Sequence, residues 1–107
     1  MLKKSRRLSS FKREAGAAVY SSPFLTISAT QSTEESKFGF IISKKIDKRA
    51  VVRNRLKRTM SRFIENNLSR LESGFKVVIV ARKQILEKES ELDRILEEGF
   101  LKLKRLK

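Results

Sequence analysis

From Phe24 to Thr30 the chain reads FLTISAT, with Leu25, Ile27 and Ala29 on one face and Phe24, Thr26 and Ser28 on the other. That period of two is the mark of a half-buried strand. The polar run QSTEES, residues 31–36, is turn material. Lys37 to Lys45, KFGFIISKK, then alternates Phe38, Phe40, Ile42 and Lys44 against Gly39, Ile41, Ser43 and Lys45, which predicts another strand. Joined by so short a polar link, the two runs read as an antiparallel hairpin. A shorter strand is predicted ahead of them at Ala17 to Ser21, between Gly16 and Pro23.

The period then changes. With Asp47 as N-cap, a helix is predicted from about 48 to 71, a span without proline or glycine. Steps of about 100° place Val52, Leu56, Met60, Phe63, Ile64, Leu68 and Leu71 on one stripe, the side that must pack on the sheet. Asn54, Arg55, Arg58, Ser61 and Arg62 fall on the opposite side, while Arg53 and Lys57 sit at the edge of the stripe and reach past it on long stems. After Ser73 and Gly74, the almost unbroken apolar run Phe75 to Ala81 predicts a strand covered on both faces. A last helix is predicted from about 90 to 106: Ser90 and Asp93 resemble a capping box, and Leu92, Ile95, Leu96, Phe100 and Leu103 repeat at helical spacing. Strand, helix and strand from 38 to 81 form a β-α-β unit whose strands are suited to lie as parallel neighbours. No repeat or linker divides the chain, so residues 1–107 are read as a single domain.

Composition removes several chemistries. No cysteine is present, which excludes disulfides, thiolate nucleophiles and cysteine-ligated zinc and favours a reducing compartment. No histidine is present either, so the commonest general base and transition-metal ligand are missing. No apolar stretch approaches the roughly 20 residues that cross a bilayer. The opening MLKKSRRLSSFKR lacks a hydrophobic signal region, and the expected location is the cytoplasm, away from membranes.

Charge sharpens the picture. Of a net charge of +14, residues 1–13 supply +6 and residues 44–62 supply +8, so the rest of the chain is balanced. Scattered lysine keeps a small protein soluble, but segregation into two blocks points to a polyanion, either nucleic acid or an anionic membrane. Membrane-lying helices spend their apolar face on lipid; here that face is taken by the sheet. Arg55, Arg58 and Arg62, at i, i+3 and i+7, span roughly 10 Å of helix axis, a spacing suited to successive phosphates. The arginine fork takes a phosphate through two hydrogen bonds, and Asn54 offers a neutral donor and acceptor for a 2′-hydroxyl or base edge. Glu87, Glu89, Glu91, Asp93, Glu97 and Glu98, mixed with Lys88 and Arg94, read as a solvated, dipole-matched helix face instead of a metal cage. No glycine-rich phosphate loop appears. The chain presents basic surface and no active site of its own.

Phe40-Ile41-Ile42-Ser43-Lys44-Lys45, followed by Ala50-Val51-Val52-Arg53-Asn54-Arg55-Leu56-Lys57-Arg58, closely resembles the signature of the bacterial ribonuclease P protein component. The apolar run ending in Ala81-Arg82-Lys83 is similar too, and the likeness extends more loosely over residues 8–106. The resemblance implies an α+β fold: a two-layer α/β sandwich with a four-stranded, mostly antiparallel sheet, about three helices and a left-handed β-α-β crossover, like the second domain of ribosomal protein S5. It implies that catalysis belongs to a partner RNA using Mg²⁺, held mainly by that RNA and not tightly by the protein. The protein would hold the ribonuclease P RNA and the 5′ leader of precursor tRNA, with no obligatory protein partner. Arg53, Asn54, Arg55, Lys57 and Arg58 match the family motif and would contact RNA, with Lys44, Lys45, Arg49 and Arg62 on the same surface.

Two departures stand out. Family members pair two phenylalanines in an amino-terminal helix lining the leader cleft, whereas only Phe11 stands in that region, either stacking on a leader base or anchoring the core. Where the family often has a further arginine, this chain has Ser61, with Arg62 next. Two rival functions fit the same basic helix less fully: a ribosomal or general RNA-binding protein, and a stand-alone nuclease, which the missing histidines disfavour.

Overall fold

A computed structural model describes residues 18–31, 36–71 and 74–103. In chain order these form β1 (Ala18–Ser21), β2 (Leu25–Gln31), β3 (Lys37–Ile41), α1 (Ala50–Asn66), β4 (Phe75–Ala81), a 3-10 segment (Lys83–Glu91) and α2 (Leu92–Lys102). The strands make one sheet in the order β1-β2-β4-β3. β1 and β2 are antiparallel, with Tyr20 opposite Ile27. β2 and β4 are antiparallel over seven residue pairs, and β3 runs parallel to β4. The expected α+β sandwich with a mostly antiparallel four-stranded sheet is what the chain forms, and 38–81 is a parallel β-α-β unit.

The expected β2–β3 hairpin does not form. β4 lies between those two strands, and the reason is burial: FKVVIVA is the most continuously apolar strand, so it gains most from neighbours on both edges. Its two faces are nonetheless unequal. Val77, Ile79 and Ala81 are buried while Val78 and Val80 are half-buried, so one face of the sheet carries the core and the other is partly covered.

The core face is built from Leu25, Ile27, Ala29, Phe38, Phe40, Val77 and Ile79, on which α1 sets Leu56, Met60, Phe63 and Ile64 and α2 sets Ile95, Leu96 and Phe100. The apolar stripe of α1 is as expected, with Val52 buried and Leu68 half-buried. Ser61, placed on the outer side from the sequence, is instead only 2% exposed. It lies about 60° beyond Ile64, where a small side chain lets the packed arc widen.

Both ends of α1 differ from expectation. Arg49, not Asp47, is the extended N-cap residue; Asp47 accepts the Arg49 backbone N–H at 2.8 Å from two residues upstream. The helix stops at Asn66, because the Asn67 side chain donates to the Phe63 carbonyl at 2.8 Å and meets one of the orphan acceptors of the last turn. Leu71 stays buried without being helical.

The proposed capping box of Ser90 and Asp93 is absent as well. A 3-10 segment holding buried Ile85 runs directly into α2, whose N-cap residue Glu91 makes no side-chain cap bond. Two α-helices and this 3-10 segment are thus seen among the described residues, against about three helices expected. The basic segment 1–13 and Phe11 lie outside the described residues. No described helix is long and apolar enough to cross a membrane.

α2 approaches the sheet closely at Gly99. A Cβ built there would lie 2.7 Å from Ile27 Cδ1 and 2.9 Å from Tyr20 Cδ2. Gly99→Val is therefore expected to destabilise the fold by about 1–3 kcal/mol through overpacking. A thermal melt checks this, and an unchanged midpoint would mean that α2 rides farther from the sheet.

Candidate nucleic-acid interface

The link from β3 to α1 is short and cationic. Ser43 organises it: its carbonyl accepts the Ile46 N–H at 3.0 Å and its hydroxyl accepts the Lys45 N–H at 3.3 Å. Lys44, Lys45 and Lys48 are left exposed on the turn. Arg49 is tied down next to them, its Nε 3.1 Å from Asp47 Oδ1 and its Nη2 3.0 Å from Oδ2. α1 then begins with no acidic residue in its first turn, so the positive end of its dipole adds to the charge of the lysines.

The Asp47 carboxyl is lowered from 3.8 to about 2, first by the hydrogen bond from the Arg49 side chain and then by that from the Arg49 backbone. A lowered folded value means that the contribution is complete above the unfolded value and is lost as pH falls from about 4 towards 2. Carboxyl-carbon resonances should show Asp47 titrating near pH 2. A midpoint at the ordinary aspartate value would show the clamp to be open in solution.

Along α1 the basic residues divide between faces. Val51, Arg55, Arg58, Thr59 and Arg62 line one surface groove of about 210 Å³. Val51 is 63% exposed there, an apolar floor beside guanidinium groups. Arg58 and Arg62 are exposed and have no ion-pair partner among the described residues. Arg55 differs: its Nε donates to Glu89 Oε2 at 2.5 Å and its Nη2 to Oε1 at 2.9 Å. These bonds raise the Arg55 pKa above its ordinary value.

Asn54 and Lys57 are exposed on the neighbouring flank, and Arg53 is half-buried. The Arg53 Nε is shielded from solvent and has no hydrogen-bond partner among the described residues. The motif's residues are therefore adjacent without all sharing one surface: Arg55, Arg58 and Arg62 line the groove, Asn54 borders it about 40° round the helix from Arg58, and Lys57 and Arg53 turn away from Arg58 by about 100° and 140°. The Ser61 departure is resolved in the same terms, since position 61 is inside the packed arc and Arg62 is the one that reaches the groove.

Val51 and Thr59 were not anticipated as groove residues, nor Glu89 as the partner of Arg55. Val51 and Thr59 follow from helix rotation once the packed face is known. Glu89 does not, being 34 residues from Arg55 in sequence. On the face of β2 away from the helices, Arg82 donates from Nε to Thr26 Oγ1 at 2.9 Å and from Nη2 to Ser21 Oγ at 3.3 Å. That arginine braces the sheet.

Acidic side chains are engaged elsewhere. Glu91 pairs with Arg94 and Lys88, Glu97 with Arg70, and Glu98 with Lys102. Among the described residues no three acidic groups come together where they could hold a metal ion.

A family model described as Ribonuclease P matches residues 1–104. The ribonuclease P protein component of Cyanothece sp. (strain PCC 7425 / ATCC 29141) is 43% identical over 60 residues, covering 56% of this chain and 46% of its own length. That of Marinomonas sp. (strain MWYL1) is 35% identical over 77 residues, covering 72% of this chain and 58% of its own. The chain thus spans about half the length of the curated relatives it matches. Among solved structures, the Staphylococcus aureus RNase P protein superposes with a TM-score of 0.77 at 17% identity, covering 85% of this chain and 84% of that one. The Thermotoga maritima RNase P protein gives 0.67 at 21%, covering 82% and 81%. At those identities the likeness speaks to the fold alone.

Proposed function

The chain belongs to the Ribonuclease P family, and from that premise we propose that it is the protein subunit of a cytoplasmic ribonuclease P ribonucleoprotein. It binds the catalytic RNA and the 5′ leader of precursor tRNA and assists removal of the leader, while the polypeptide itself performs no bond cleavage. The carrying observation is the exposed pair Arg58 and Arg62, which line the groove with no carboxylate opposing them among the described residues. Lys44 and Lys45, also exposed, extend the cationic surface around the start of the helix, and Lys57 lies exposed on its flank. Two RNAs brought together repel through their phosphates, and fixed cations offset that repulsion and lessen the demand for free Mg²⁺. The ion itself is left to the RNA.

The test is reconstitution at low Mg²⁺ with ribonuclease P RNA and precursor tRNA. Stimulated cleavage at the mature 5′ end supports the reading. Binding without stimulation would instead indicate a general RNA-binding protein, and cleavage without added RNA a nuclease. With about six phosphates neutralised, the logarithm of the RNA-binding constant should fall against the logarithm of salt with a slope near −4 to −5. A flat response would exclude the phosphate-binding account.

A further inference from the structure

Two arginines of one helix face, less than one turn apart, stand in opposite states before any RNA arrives. Arg55 gives its Nε–H and an Nη2–H to the two oxygens of Glu89, while Arg58 has no such partner among the described residues. Both line the same groove. A carboxylate seated on Nε and Nη2 covers an edge of the guanidinium suited to a bidentate phosphate, and it matches the charge. Sequence-independent binding to RNA is driven by cations that release counterions from phosphates. An arginine already matched by a carboxylate adds little to it. Glu89 is also held between two fixed points, since the chain that carries it follows fully buried Ile85, bends at Lys88 and leads into buried Leu92.

We propose that Glu89 is a specificity-determining residue of the RNA-binding face: it withholds Arg55 from RNA in general and yields it to a phosphate that a folded RNA presses into the groove. This rests on the reading of the outer face of α1 as RNA-binding. The exchange replaces one anion by another on the same donors and involves no covalent step. Phosphate displaces the carboxylate where Arg58 and Arg62 already hold a structured strand in place, because its effective concentration at Arg55 is then high. A loose single strand, held by fewer contacts, meets Arg55 already occupied.

Binding of a short oligouridylate and of ribonuclease P RNA to the full chain tests this, using Arg55→Ala and Arg58→Ala with and without Glu89→Gln. With Glu89 present, Arg55→Ala should weaken oligouridylate binding less than about twofold and Arg58→Ala about three- to tenfold. In the Glu89→Gln background the two should cost the same, and the salt slope for oligouridylate should steepen by about 0.7, one single-strand phosphate. For ribonuclease P RNA, Arg55→Ala should cost as much as Arg58→Ala even with Glu89 in place. Equal losses on oligouridylate in the otherwise unaltered protein would overturn the proposal, as would a Glu89→Gln change that leaves the Arg55→Ala loss where it was. If Arg58→Ala leaves both RNAs unaffected, the RNA-binding reading of the face fails and the proposal falls with it.

Discussion

Replacing Arg58 and Arg62 together by alanine is expected to weaken binding to ribonuclease P RNA about 30- to 100-fold, with the folded protein otherwise intact. Each guanidinium is exposed in the groove and lacks an ion-pair partner among the described residues, so each is available for a charge-assisted bond to phosphate. Such bonds contribute roughly 1.5–3 kcal/mol apiece, less where two share one strand, and tenfold in affinity is about 1.4 kcal/mol. The salt slope should become shallower by about 1.4 to 1.8, the share of two phosphates. Stability should move by no more than about 0.5 kcal/mol, because exposed side chains away from caps and packed surfaces have little effect on it. Isothermal titration over a salt series, with a thermal melt of the same samples, checks all three. Full affinity in the double variant would move the RNA to the flank of Asn54 and Lys57.

Arg58 and Arg62 were legible in the sequence because one helix period relates them to their own apolar stripe. Val52, Leu56, Met60, Phe63 and Ile64 define the buried arc, and whatever lies opposite is outside. The parallel β3–α1–β4 unit was legible for a similar reason, since a helix of 17 residues between two apolar runs is long enough for a crossover. Strand neighbours were not. Period-two alternation says which face of β2 and β3 is buried but nothing about which edge each strand offers, so the insertion of β4 between them left no local trace. Helix ends were misplaced where backbone satisfaction decided them, by Asp47 two residues before Arg49 and by Asn67 folding back on Phe63. The pairing of Arg55 with Glu89 was out of reach for a third reason. It depends on where the 3-10 segment sets Ile85, a tertiary matter that no spacing along the chain encodes.

Phe100→Ala should have the opposite profile to the arginine pair, with a large loss of stability and none of intrinsic RNA affinity. Phe100 is fully buried, and its ring stacks on that of Phe63 with centroids 6.1 Å apart and planes 13° from parallel. It is the main aromatic tie between α2 and the inner side of α1. Truncating a buried phenylalanine costs about 3–5 kcal/mol, a large part of the total for a domain of this size, and should lower the thermal midpoint by about 12–30 °C. Binding measured well below that midpoint should be unchanged, because Arg58 and Arg62 project from the side of α1 away from the sheet and their spacing is set by the helix backbone. A folded Phe100→Ala protein with weakened RNA binding would contradict this. It would mean that the groove depends on how α2 and the adjoining 3-10 segment seat α1, and that Glu89 and Arg55 transmit the packing of the core to the RNA-facing surface.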